Sequence, residues 1–171
     1  MLSARAILIL FSFGFAPALA FAQAIEDGLF AYQALGAGDL ELADFYASRA
    51  LASGELRDAD QAAVYSYRGD ARRRMGRFEE AIEDYMAAVE LGLPPQFAAR
   101  VWNNMGIVLF RMIQWEEAAK SYRVALDLDP RFVEAMDNLG TALLAMGDMQ
   151  GALEVFTAAI DTDPTNALVH N

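Results

Sequence analysis

The side chains able to carry chemistry in this chain are arginines, asparagines and carboxylates. Among 171 residues there is no cysteine and one histidine, His170. Disulfides, thiolate nucleophiles and Cys/His zinc sites are therefore excluded, and a histidine-dependent triad is strongly disfavoured. Asp and Glu number 24, yet they fall in runs such as Glu79-Glu80 and Glu116-Glu117. No nucleophile stands beside a base, and neither a phosphate-cradling loop nor a metal-ligand spacing is present. Catalysis is disfavoured and no cofactor is expected. The remaining chemistry is recognition: a guanidinium fork matches a carboxylate, and an Asn amide both donates to and accepts from a peptide backbone. The formal charge of −11 opposes a nucleic-acid partner, because phosphates would meet net repulsion. There is no polybasic stretch suited to anionic lipid.

The elements that would position these groups are helical and repeated. Residues 99–132 read Trp102-x2-Met105-Gly106-x2-Leu109, then Ala118-x3-Tyr122-x2-Ala125, then Pro130. Gly106 and Ala118 are small where two antiparallel helices would cross closely, while Trp102, Leu109 and Tyr122 fill the volume around the crossing. Pro130 stops the second helix, and its ring pushes Asp129 out of the helical region. Residues 133–166 repeat the pattern with Met136, Leu139-Gly140, Leu143, Gly147-Asp148, Ala152, Phe156, Ala159 and Pro164. Residues 62–95 repeat it with Tyr65, Arg68-Gly69, Gly76, Ala81, Tyr85 and Ala88, followed by a three-residue insertion at 96–98. Residues 24–57 are a divergent copy that keeps Ala31, Ala34, Gly38-Asp39, Ala43 and Ala50 but lacks most of the aromatics.

Acids open the second helices and Arg72, Arg73 and Arg74 close a first helix, the charge signs that complement the helix dipole. These clusters are therefore read first as helix stabilisation. Tyr85, Trp102, Tyr122 and Phe156 are expected in the core, with the methionines as adaptable filler.

The pattern resembles the tetratricopeptide repeat, a 34-residue helix-turn-helix unit with the signature W-x2-L-G-x2-Y, A-x3-F, P. The resemblance spans residues 24–166 and departs from the signature at Arg68 and Arg72, where the family prefers Leu and Tyr. It implies an all-α fold, a right-handed α-solenoid of about four stacked repeats, none of which buries its apolar face alone. In similar proteins the first helix of each repeat lines a concave groove. Carried over position by position, that register places Ile25, Leu29 and Tyr32 in the first share of the groove. Ser66, Tyr67, Asp70, Arg73 and Arg74 fall in the second, Arg100, Asn103, Asn104, Ile107 and Arg111 in the third, and Glu134, Asp137, Asn138, Thr141 and Leu144 in the fourth.

This register implies a locally basic middle in an acidic protein. Arg73, Arg74, Arg100 and Arg111 are candidates to meet acidic groups of a bound peptide or helix, and Asn103, Asn104 and Asn138 to meet its backbone. The alternative is internal use, with Asp70, Glu134 and Asp137 neutralising the arginines and the asparagines serving the fold. Relatives that clamp an acidic C-terminal tail place Lys and Asn on the first repeat of a trio, Asn on the second, and Lys and Arg on the third. Only Asn104 matches, so that mechanism is disfavoured.

Residues 1–22 differ in kind. Arg5 precedes a mostly apolar run, and Pro17 precedes two small-x-small sites, Ala18-Leu19-Ala20 and Ala20-Phe21-Ala22. This is the pattern of a secretory signal peptide cut after Ala20 or, preferably, Ala22. The alternative is an uncleaved membrane anchor. At the other end, residues 167–171 begin a further repeat, leaving the last helix free to pack on a partner or a second copy. The reading as a whole is a non-catalytic scaffold or adaptor, periplasmic or secreted in a bacterium, with a protein or peptide partner. A membrane-tethered subunit facing the periplasm is the alternative.

Overall fold

The computed structural model describes the backbone of residues 4–163 and the side chains of residues 17–163. Among the described residues the chain forms eight α-helices and no strand: α1 (Ala4–Ala37), α2 (Leu40–Ala52), α3 (Asp58–Met75), α4 (Phe78–Glu90), α5 (Pro95–Arg111), α6 (Trp115–Leu128), α7 (Val133–Ala145) and α8 (Met149–Thr162). They pack as four helix-turn-helix pairs. α2, α4 and α6 each pack on the odd-numbered helix that follows, and α1, α3, α5 and α7 also touch in sequence, forming the inner layer of a solenoid. Residues 164–171, with the expected stop at Pro164 and the start of a further repeat, lie outside the described residues.

A glycine-aromatic crossing recurs in three of the four pairs. A Cβ on Gly69 would lie 2.7 Å from the ring of Tyr85, and one on Gly106 or Gly140 would lie 2.5 Å from the ring of Tyr122 or Phe156. Each aromatic therefore occupies the space that a missing methyl leaves. In the divergent first pair the equivalent residues are Ala31 and Ala47, both fully buried. Tyr85 and Tyr122 belong to separate core clusters, with Val101, Met105 and Val108 packed around the first, and Leu139, Ala142 and Leu143 around the second. Trp102 packs half-buried against the Tyr85 cluster.

The turns inside the pairs are punctuated by residues in the left-handed region: Gly38 (φ 83°), Gly76 (φ 81°), Ile113 (φ 63°) and Gly147 (φ 82°). Glycine adopts this conformation without a steric penalty, whereas a β-branched side chain is strained there. Ile113 gains little burial in return, since it is 70% exposed.

The departures at Arg68 and Arg72 are explained by a polar interior between the first two pairs. Asp84 of α4, 2% exposed, accepts from Arg68 Nη2 at 2.7 Å and from Arg72 Nη1 at 2.9 Å. Arg72 Nε also donates to Asp44 of α2 at 2.8 Å, Arg77 Nη1 to the other Asp44 oxygen at 3.0 Å, and Arg68 Nη1 to Ser48 Oγ at 3.2 Å. Two arginines thus replace two hydrophobes, with carboxylates from neighbouring helices satisfying them. In the first pair, buried Asp27 is held by Arg49, whose guanidinium lies 4.9 Å from the Tyr46 ring centroid. The bonds from Arg49 hold the Asp27 carboxyl below its ordinary pKa, and those from Arg77 do the same for Glu80.

Three outcomes test this packing. Gly106→Ala should destabilise by about 1–3 kcal/mol through overpacking, while Ile113→Gly should stabilise by about 1 kcal/mol by relieving left-handed strain; urea denaturation reads both. Asp84→Ala strands two arginines in a largely dry site and should lose about 3–5 kcal/mol, measured the same way. Burial, with Asp70 and Glu134 close by, raises the phenol pKa of Tyr85 and Tyr122 respectively. Their neutral forms therefore stabilise the fold below the ordinary tyrosine value of about 10. That stability is lost as pH rises from there through the folded values, so phenolate absorbance of these two rings should appear only with loss of helical circular dichroism.

Candidate functional site

The inner helices are tied to one another by polar bonds along the groove floor. Between α1 and α3, Arg74 Nη1 donates to the Leu35 carbonyl at 2.9 Å. Between α3 and α5, Asn104 Nδ2 donates to Asp70 Oδ1 at 2.8 Å, and the same oxygen accepts from Tyr85 Oη at 2.6 Å. Between α5 and α7, Asn138 Nδ2 donates to Asn103 Oδ1 at 3.0 Å, while Asn103 Nδ2 donates to Glu134 Oε1 at 3.2 Å. Each junction between consecutive inner helices carries at least one such tie, and the α5–α7 junction carries two.

These bonds divide the seven candidate residues. Asn103 is 1% exposed and both of its amide atoms have partners within the chain, so its side chain faces the α5–α7 junction rather than open groove. Arg74, Asn104 and Asn138 each spend a donor on an inter-helix tie. Arg73 lies 3.9 Å from Asp70, and its buried Nε has no hydrogen-bond partner among the described residues. Arg111 is exposed, with its guanidinium 5.8 Å from the Phe78 ring centroid. Arg100 is exposed and, among the described residues, makes no ion pair or hydrogen bond.

Arg100 edges a pocket of about 480 Å³ between α1, α3 and α5, walled by Tyr32, Tyr67 and Phe97, closed by Leu93 and Pro94, and floored by Asp70 and Asn104. The Tyr32 and Tyr67 rings are tilted, with centroids 5.3 Å apart. Burial raises the Tyr67 pKa, as does neighbouring Tyr32, and the positive charge of Arg100 pulls the other way. A smaller pocket of about 170 Å³ continues past Tyr32, Ala63 and Tyr67 toward Ile25 and Leu29. Together they make an aromatic trough with a cation at one lip.

The pocket owes its shape to the irregular spacing between the second and third repeats. Gly92 turns the chain with φ 89°, Pro94 is extended at φ −53°, ψ 145°, and Pro95 occupies the first turn of α5. A proline there is pre-organised for a helix start, and it also keeps the residue before it out of the helix. Residues 96–98 are therefore not a loop between repeats but the first turn of α5, which reaches 17 residues against 13 for α7. That added turn brings Phe97 to the groove, where it remains 49% exposed. Family register alone did not include Leu93, Pro94 or Phe97; the available signal was the break in the 34-residue period. Among the described residues there is no cluster of metal-ligating side chains.

Comparison with known proteins follows the same outline. Two family models, both described as tetratricopeptide repeat, match residues 60–131 and 103–167. Photosystem I assembly protein Ycf3 of Cyanophora paradoxa is 28% identical over 104 residues, covering 59% of this chain and 60% of that protein. RNA polymerase II-associated protein 3 of Xenopus tropicalis is 26% identical over 109 residues, covering 64% of this chain and 16% of that protein. The chain thus spans less than two thirds of the length of either relative. Among solved structures, MamA superposes with a TM-score of 0.75 at 18% identity, covering 95% of this chain and 88% of that one, a likeness of fold. The second repeat domain of Spaghetti (RPAP3), bound to the HSP90 peptide SRMEEVD, superposes with a TM-score of 0.56 at 25% identity, covering 60% of this chain and 93% of that one. On the repeat lattice, the helix-pair packing and these matches, the chain belongs to the tetratricopeptide repeat family.

Proposed function

We propose that this protein is a non-catalytic scaffold that holds a segment of a partner protein in its concave groove, within a bacterial cell envelope. The observation that carries the groove assignment is the open, aromatic-walled trough on α1, α3 and α5, edged by the Arg100 guanidinium, which makes no hydrogen bond or ion pair among the described residues. Exposed aromatic surface in a concave site offers burial to an incoming chain, and a fork-shaped cation offers it a carboxylate contact. A relative of the same fold is seen with a peptide bound. Of the seven residues singled out from the register, Arg100, Arg111 and Arg73 form the binding set. Arg74, Asn103, Asn104 and Asn138 hold the groove in shape beneath it.

The envelope address rests on the apolar, proline-bearing segment at residues 1–22. A cut after Ala22 would remove the Phe21 ring, which lies 5.4 Å from the Arg57 guanidinium, and would spare the contacts that follow it. Ala24 is the first buried residue of α1 among the described side chains, and Gln23 Nε2 donates to buried Asp27 at 3.0 Å. A chain starting at Gln23 would keep every one of those contacts. Among the described residues no helix is long and apolar enough to cross a membrane. The tethered alternative retains the whole leader as an anchor.

Two measurements test these readings. Amino-terminal sequencing of the protein from producing cells should start at Gln23; an intact leader in the membrane fraction would favour the tether. In quantitative affinity capture from envelope extract, the unaltered protein should retain a partner that the Arg100→Ala, Arg111→Ala double variant retains at least ten-fold less well. Equal retention by both would refute the groove assignment.

A further inference from the structure

Deepening the groove reading above, on which it rests, we infer that the trough selects a partner segment in which a large aromatic or branched aliphatic side chain stands beside an Asp or Glu. The apolar side chain enters between Tyr32, Tyr67 and Phe97, and the carboxylate pairs with Arg100. A void of about 480 Å³ is ample for a bulky side chain with its flanking backbone, and its walls are aromatic on three sides. Tyr32 and Phe97 are 57% and 49% exposed, so an incoming apolar group would cover ring surface that now faces water. Aromatic rings offer large contact area at low conformational-entropy loss.

The charge of the neighbouring residue follows from what is already neutralised. Asp70 accepts from Asn104 and Tyr85 and has Arg73 within 3.9 Å. Its carboxylate is thus engaged in the floor, while Arg100 makes no ion pair among the described residues. A basic segment would meet an unopposed guanidinium at the lip; an acidic one gains a charge-assisted bond there. The surrounding protein, at −11 overall, repels anions at long range, so the attraction is local to Arg100 and discriminates by position rather than by total charge. The outer wall of the pocket is the added turn of α5 set by Pro94 and Pro95.

The test uses the protein as purified from producing cells, panned against a phage-displayed library of random dodecapeptides. Selected peptides, labelled with fluorescein, are then titrated by fluorescence anisotropy. The expected result is enrichment of an aromatic or branched aliphatic residue adjacent to Asp or Glu, with binding weakened at least ten-fold by Phe97→Ala and by Arg100→Glu. Both side chains are exposed, so these variants should keep the wild-type melting temperature; Phe97→Leu should restore most of the affinity lost in Phe97→Ala. Peptides indifferent to both variants yet lost with Thr141→Trp plus Leu144→Glu on α7 would overturn this inference and leave the groove reading standing. Peptides indifferent to all of these changes, or a library that yields no binder, would overturn both.

Discussion

The close approach of paired helices, made possible by a glycine under an aromatic ring, is the constraint on which the rest of the molecule depends. At Gly69, Gly106 and Gly140 a single methyl group would collide with the ring of Tyr85, Tyr122 or Phe156. Protein interiors are packed too tightly to absorb such a collision without moving a helix. The close crossing is therefore built into three of the four pairs, and each pair so formed presents its inner helix to the next. The tyrosine hydroxyl extends the same constraint toward the groove: Tyr85, planted over Gly69, donates to Asp70, which in turn accepts from Asn104 of the following repeat.

The chain reaches the same architecture at its amino-terminal end by different means. Where the family packs hydrophobes, α3 presents Arg68 and Arg72, and α2 and α4 answer with Asp44 and Asp84. An interior ion-pair network contributes less net stability than an apolar core of the same volume, because desolvation offsets much of the attraction. It does supply directional bonds, which specify one register of the first two pairs where small alanines such as Ala31 and Ala47 offer little shape to lock. The groove above this junction combines aromatic walls with Arg100, a cation that makes no ion pair among the described residues. Its outer wall is the first turn of α5, where Pro94 and Pro95 start the helix and Phe97 lines the pocket.

Much of the fold was legible in the one-dimensional pattern. The small residues at Gly106 and Ala118, the aromatic at Tyr122 and the stop at Pro130 identify a helix pair because each follows from local sterics that act within one repeat. The turns at Gly76 and Gly147 were equally plain, since glycine in the left-handed region is a local property. The binding residues were less so. Arg74, Asn103, Asn104 and Asn138 occupy inner-layer positions as the register implies, but whether a donor faces solvent or the neighbouring helix depends on what stands 31 to 39 residues away.

The sequence by itself therefore determined the repeat, its period, the helix-pair crossing and the absence of thiol chemistry, because these depend on residue type and short spacing. Only the tertiary structure decided that Pro95 begins a helix rather than ending a repeat, that the added turn carries Phe97 into the groove, and that Arg100 makes no hydrogen bond or ion pair among the described residues while Arg73 and Arg74 do. The physical reason is that hydrogen-bond and ion-pair partners are exclusive: a polar group that finds a mate across the solenoid is no longer available to a ligand, and that mating is settled by how repeats stack.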